Sequence, residues 1–367
     1  MEIREECRRI EEALLSYFGE IPSYCEPYGS GHINDTFLVV ADRRYILQRM
    51  NHKIFPNPER LMENIAGVTA HICRKARKSG ADPSKASLVV IPTREGKTFF
   101  RDSVGSYWRV YEFCEGTVSR DRVESPSDFA LCGEGFGAFQ KMLSDYPAET
   151  LYESIANFHN TPWRYENLMK AMETDACGRA ASVKEELAFA IARQDFCSVL
   201  ERAHAEGRLP LRVTHNDTKL NNILFDEKTG EPRVVIDLDT VMPGFSVTDF
   251  GDSIRFGANT AAEDETDLSL VSLDLSLFEC YARGFLKGCG GELTEGERLL
   301  LPEGAIMMTL ECGMRFLTDY LEGDIYFRIH RPLHNLERCR NQFALVADME
   351  RKLPEMRAII RRLTETE

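Results

Sequence analysis

Apolar residues recur at helical spacing near the start of the chain, where Ile10, Leu14, Leu15 and Phe18 share a face and predict an amphipathic helix. The period then shortens. "SYCEPY", "INDTFLVV" and "RYILQRM" are rich in aromatic and β-branched residues, are split by "GSG" and "ADRR", and predict three antiparallel strands. "NPERLMENIAGVTAHICRKARKSG" sets Leu61, Ile65, Val68 and Ile72 on one face and ends at Gly80, which predicts a helix closed by a glycine cap. "SLVVIPT" and "KTFFRD", joined by "REGK", and then "SYWRVYEF" add two or three strands, completing a small α+β unit by Phe113.

The polar, turn-rich "CEGTVSRDRVESPSD" marks a boundary, so residues 1–113 are expected to form an N-terminal lobe and 114–367 a C-terminal one. Beyond it the helical period dominates. Ser127 is the expected cap of a helix turning Phe129, Cys132, Phe136, Phe139 and Leu143 inward, and further helices are expected over Lys184–Ala203, Leu275–Lys287, Glu295–Leu321 and Leu336–Thr364. Only Leu211–Asp239 interrupts this half with strand-like runs. No internal repeat or low-complexity segment is present.

A chain of 367 residues exceeds what one hydrophobic core usually serves, which agrees with two lobes. The net charge of -14 would repel nucleic-acid phosphates and anionic membrane surfaces. The N-terminus has no signal-like apolar stretch, and no run approaches the roughly 20 apolar residues of a membrane span. A cytoplasmic protein with neither membrane nor nucleic-acid partner is expected. The cysteines are scattered without a C-x-x-C pair, so reduced thiols are expected rather than disulfides or a zinc site.

Chemistry concentrates in "RVTHNDTKLNNILFD", where His215, Asp217 and Asn222 are spaced H-x-D-x-x-x-x-N. That is the catalytic-loop spacing of kinases, in which Asp takes the proton of the attacking hydroxyl and Asn binds magnesium. After the turn "EKTG", the apolar run "RVVIDLDT" ends in Asp237, the place for a second Mg²⁺ ligand facing a nucleotide. Asx-rich turns are common between strands. The ordered combination of loop, strand, turn and strand ending in Asp is far more specific.

"HNDTKLNN" followed by "VVIDLDT" resembles the aminoglycoside phosphotransferase and choline kinase superfamily, most closely its N-acetylhexosamine 1-kinase branch, through "EPYGSGHINDTFLV", "YILQRMN", "VIDLDTVMPG", "DFGDSIRFGA" and "ECGMRFLTDYLEGDIYF". The resemblance implies an α+β, two-lobed kinase-like fold, a small antiparallel N-lobe binding nucleotide and a larger, mainly helical C-lobe for catalysis and sugar, with the site between them. It implies ATP- and Mg²⁺-dependent phosphorylation of the anomeric hydroxyl of GlcNAc or GalNAc. Asp217 would be the general base, Asn222 and Asp237 the Mg²⁺ ligands, and Asp239 a helper toward metal or sugar. Arg315 and Tyr326 would bind sugar, whereas spacing alone makes them a helix ion pair and a half-buried tyrosine. His32 and Asn34 would touch sugar or phosphate, and His159, in "NFHNTP", is an ambiguous polar turn residue. "DFGDS" at Asp249 follows Asp237 without a preceding apolar strand and reads as coincidence or a helix start.

Nucleotide contacts are expected from Gly29 and Gly31 of "GSGHIN", equally readable as a hairpin turn, and from hinge backbone at Phe113 and Glu115. The lysine that kinases carry on the third strand is replaced by Gln48; Arg49 beside it points to the other face, and the helix partner, Glu59 or Glu63, stays unplaced. Rival readings are a kinase for choline, ethanolamine, homoserine or an aminoglycoside, or a catalytically silent sugar or nucleotide sensor. A quaternary ammonium calls for an aromatic cage, and Trp108 and Trp163 are the only tryptophans.

Overall fold

The computed structural model describes residues 2–29, 33–120, 123 and 125–365. In chain order its first elements are α1 (Glu2–Phe18), β1 (Tyr24–Pro27), β2 (Asp35–Val40), β3 (Arg44–Met50), α2 (Pro58–Lys78), β4 (Val90–Ile91), β5 (Phe100–Arg101), β6 (Tyr107–Glu112) and β7 (Thr117–Ser119). There follow α3 (Pro126–Met142), α4 (Thr161–Thr174), α5 (Lys184–Ile191), α6 (Val199–Ala205), β8 (Arg212–Thr214), β9 (Ile223–Asp226), β10 (Pro232–Val235) and β11 (Met242–Gly244). Helices α7 (Ser246–Gly257), α8 (Leu275–Cys289), α9 (Glu295–Glu322) and α10 (His334–Glu365) complete the chain. Two compact units result. The first comprises Met1–Ser119, Asp145–Ala156 and Ile223–Met242, and the second Arg120–Ser144, Asn157–Asn222 and Pro243–Glu367.

The first unit is built on an antiparallel sheet ordered β1-β2-β3-β6-β4, with β5 also on β6. Strand alternation divides its residues. Leu47, Trp108 and Val110 pack with Val39 and with Leu14 and Tyr17 of α1, and the Tyr17 hydroxyl donates to the Trp108 carbonyl at 2.8 Å. Gln48 and Arg109, directly opposite each other in register, face the other way. Helix α2 starts at an Asn57 cap with Pro58 at its first position, buries Leu61, Ile65, Val68 and Ile72 as the periodicity predicts, and is followed by Gly80 at φ 77°.

Buried Asn64 of α2 donates to the carbonyls of Tyr152 (2.7 Å) and Val241 (3.1 Å) and accepts from the Tyr152 amide (2.9 Å). These bonds, together with the pairing of β9 on β7, attach two later chain segments to the first unit. The compact units therefore do not divide at a single point such as Phe113.

In the second unit α3 and α8 meet backbone to backbone. Gly133 and Gly137 face Gly284 and Gly288, all one helical turn apart in pairs. A Cβ at Gly137 would lie 2.3 Å from the Phe285 carbonyl oxygen, and one at Gly284 would lie 1.9 Å from that of Ala130. No side chain larger than hydrogen fits there. Helix α9 opens with a reciprocal Thr294–Glu297 capping box, and Glu297 also binds Arg212 (2.7 Å) and Ser246 (2.7 Å).

Local expectations shift in several places. The α3 cap is Ser125 rather than Ser127, because Ser125 accepts the Asp128 amide and Pro126 occupies the first helical position. The expected helix over Lys184–Ala203 is broken into α5 and α6 by a short 3₁₀ turn at Phe196–Ser198. Helices α4 and α7 were not predicted from the period, and "DFGDS" lies inside α7. Among the described residues, no helix is long and apolar enough to cross a membrane.

Candidate active site

The H-x-D-x-x-x-x-N stretch follows β8 in the second unit, and buried groups fix its backbone. Asp249 of α7 accepts the amides of His215 and Asn216, each at 2.8 Å, and a third bond from Gln140 at 2.8 Å. Asn216 is left-handed (φ 64°), a turn that asparagine tolerates. Thr218 donates to the Asp249 carbonyl (2.7 Å), its own carbonyl accepts from Ser253, and Ser253 accepts from Tyr281 of α8 (2.7 Å). The His215 ring is fully buried against Phe136 and Phe139. Burial pushes the Asp249 carboxyl above its ordinary pKa despite its donors.

This frame presents three side chains together. The Asn222 amide donates to the Asp217 carbonyl (2.8 Å) and to its carboxylate (3.1 Å), while Lys219 Nζ stands 2.6 Å from Asp217 Oδ1. Burial opposes the Lys219 charge, but Asp217 and Asp252 outweigh it and hold the lysine pKa above its usual value. Lys219 was not singled out in the sequence, although it lies only two residues beyond Asp217.

His159, which sequence alone left ambiguous, joins the loop to α9. Its Nδ1 lies 2.8 Å from Glu311 Oε1 and its Nε2 lies 3.2 Å from the Asn216 carbonyl oxygen. A carboxylate on one side and a carbonyl on the other favour the imidazolium, in which both ring nitrogens donate. Burial disfavours that charge, yet Glu311 prevails and the pKa is raised. Glu311 also accepts from Thr161 at 2.6 Å.

One turn further along α9, Arg315 opens onto a cavity of about 690 Å³ lined by Trp163, Arg164, Asn167, Thr318 and Tyr326 among others. Its guanidinium lies over the rings of Phe158 (5.6 Å), Tyr326 (6.0 Å) and Phe327 (5.4 Å) and makes no salt bridge among the described residues. Tyr326 is 68% exposed rather than half-buried. The Asp319 carboxylate fixes its segment by accepting the amides of Ile325, Tyr326 and Phe327. The Arg164 Nε is buried without a hydrogen-bond partner among the described residues, and burial followed by Arg315 lowers the Arg164 pKa. Arg164 was missed because a lone arginine on an unrecognised helix carries no sequence signal.

The other expected site residues belong to the first unit. Asp237 is exposed and left-handed (φ 58°) at the end of β10's run, while Asp239 is buried and ion-paired with Arg109. Asp239 also accepts from Asn34 at 2.7 Å, and Asn34 accepts the Asn51 amide at 2.9 Å. Gln48 donates to Thr36 (3.0 Å) and accepts from Arg109 Nε (2.9 Å). Arg49 turns away to Glu6 and Asp35, and Glu63 pairs at the surface with Arg60. Gly29 has φ 79°; Gly31 and His32 lie outside the described residues. The Phe113 amide donates to the Arg44 carbonyl (3.1 Å), and exposed Glu115 takes the Arg44 guanidinium (2.8 Å).

Comparison with solved structures gives the same fold at low identity. A microcompartment-associated aminopropanol kinase matches at 17% identity and TM-score 0.61, covering 96% of this chain and 98% of its own. An aminoglycoside phosphotransferase from Alicyclobacillus acidocaldarius matches at 13% and 0.59, covering 96% of each. A choline/ethanolamine kinase family protein from Mesorhizobium loti matches at 17% and 0.54, covering 98% and 99%. The family model described as "Phosphotransferase enzyme family" matches residues 25–275, more than half of the chain. With an antiparallel sheet and helical remainder that share the kinase-like fold of these structures, the chain belongs to that phosphotransferase family.

Proposed function

We propose that this kinase transfers the γ-phosphoryl group of ATP to the anomeric hydroxyl of an N-acetylhexosamine, GlcNAc or GalNAc. The observation that carries the reading is the cavity at Arg315. The cavity, of about 690 Å³, has room for a monosaccharide, and Arg315 and Arg164 offer donors to hydroxyl and acetamido oxygens. The same feature weighs against choline or an aminoglycoside. The aromatic rings that would cage a quaternary ammonium already hold the protein's own cation, Arg315, and a polyamine would meet two guanidiniums.

In the proposed reaction the C1 hydroxyl oxygen forms a bond to the γ-phosphorus as the bond to the β–γ bridging oxygen breaks, and Asp217 accepts the hydroxyl proton. Lys219, held beside Asp217, steadies the negative charge of the transferred group. Arg315 and Tyr326 orient the ring. Gly29, Gly31, Gln48 and hinge backbone at Phe113 and Glu115 are the proposed nucleotide contacts, with His32 and Asn34 toward sugar or phosphate.

Asn222 and Asp237 are the residues that would hold Mg²⁺. The donor set fits: with its amide nitrogen committed to Asp217, Asn222 keeps its oxygen as the ligating atom, and Asp237 offers a carboxylate. Among the described residues no cluster of three His, Cys, Asp or Glu could hold a metal. Mg²⁺ at a nucleotide site commonly takes one or two protein oxygens and completes its shell from phosphate and water. When bound, Mg²⁺ would neutralise phosphate charge.

The test is phosphate transfer from Mg-ATP across GlcNAc, GalNAc, galactose, glucose, choline, homoserine and kanamycin. An acid-labile sugar 1-phosphate from an N-acetylhexosamine, abolished by Asp217→Asn, is expected. Turnover on choline or kanamycin alone would overturn the acceptor, and no turnover on any substrate would favour a sensor.

A further inference from the structure

The first unit lacks a lysine on its third strand, yet a cation is buried at that place. Arg109 stands on β6 directly opposite Gln48 of β3, with its side chain on the same sheet face and 1% exposed. Its Nε donates to Gln48 Oε1 at 2.9 Å and its Nη1 pairs with Asp239. Burial works against the guanidinium charge, and Asp239, with Asp237 nearby, outweighs it. Asp239 in turn receives Asn34, whose carbonyl oxygen receives the Asn51 amide. One guanidinium thus ties the third strand, the Asp237–Asp239 turn and the end of the glycine turn into one hydrogen-bonded chain.

A second observation points to a ligand at the same place. Tyr111, two residues along β6 and therefore on the same face as Arg109, has a buried hydroxyl without a hydrogen-bond partner among the described residues. Its surroundings are charged, since Arg109, Asp239 and Asp237 all act on it. A buried donor left unsatisfied is costly, and a polar ligand would relieve that cost.

We propose that Arg109 is the positioning residue for the nucleotide, supplying from the neighbouring strand the charge that kinases place on the third. It acts through Asp239 and Gln48, not by gripping phosphate itself. An ordinary kinase lysine is a flexible point charge, whereas Arg109 is a planar fork held at both ends. The turn carrying Asp237 is thereby set before any nucleotide arrives.

This inference rests on the kinase reading, and titration calorimetry with Mn²⁺–ADP separates the two. Wild-type protein that binds no Mn²⁺–ADP would remove the kinase reading itself. Given wild-type binding, Arg109→Gln is expected to stay folded and to weaken Mn²⁺–ADP at least about tenfold, with the acceptor KM unchanged within about twofold. A smaller loss overturns the proposal. If Arg109→Gln does not fold, Arg109→Lys decides, with a loss of at least about threefold expected and less than that overturning the proposal. If neither variant folds, Arg109 is only a structural ion-pair partner and the proposal is overturned.

Discussion

Asp249 holds the backbone amides of His215 and Asn216 at 2.8 Å each, so one carboxylate on a helix sets the path of the chain immediately before Asp217. Asp249→Ala leaves two buried amides unpaired, each costing roughly 1–3 kcal/mol. The variant is expected to melt earlier and to lose kcat at least about tenfold, measured by thermal denaturation and steady-state kinetics.

The imidazolium of His159 gives a pH signature. Its folded pKa is raised above the ordinary value of about 6.5, so its contribution to stability is complete below that value and is lost as pH rises through the folded pKa. Melting temperature is expected to fall as pH rises from about 6.5 through the folded pKa, and His159→Gln is expected to flatten that part of the profile.

Arg315→Ala removes a cation that lines the proposed acceptor cavity and makes no salt bridge among the described residues. With a charge-assisted hydrogen bond to ligand worth roughly 1.5–3 kcal/mol, the acceptor KM should rise about 10- to 100-fold while KM for Mg-ATP holds. Equal changes in both would place Arg315 outside acceptor binding.

Gly137→Ala and Gly284→Ala each force a Cβ within 2.3 Å or less of a backbone oxygen on the facing helix. Overpacking of this kind costs typically about 1–3 kcal/mol. Urea denaturation should show lower midpoints for both variants.

Where the determinants were local, the sequence made them legible. The buried face of α2 follows from its own period, and the Asp217–Asn222 spacing lies within one loop, where the structure brings the two side chains into contact. The missed features depend on partners far along the chain. Arg109 reads as one residue of an aromatic strand until the register sets it opposite Gln48, 61 positions away. Asp249 lies 34 positions beyond His215, and "DFGDS" gives no sign that its carboxylate serves a loop. Helix α4 escaped because its buried face is sparse: Tyr165, Leu168 and Ala171 are its buried apolar residues. Ser125 and Ser127 are equivalent caps until Pro126 is placed at the first helical position.

The glycine contact between α3 and α8 also has a mechanical meaning. Side chains can change rotamer to absorb a strain, but main chains already touching cannot. The Phe136 and Phe139 rings against His215 are carried by one of those two helices, and Tyr281, which ends the chain of bonds through Ser253 to Thr218, by the other. The loop bearing Asp217 is therefore mounted on two helices whose main chains are already in contact. Pressure is expected to shift the aromatic and arginine-lined cavity more readily than the loop bearing Asp217, which high-pressure NMR of the two regions would show.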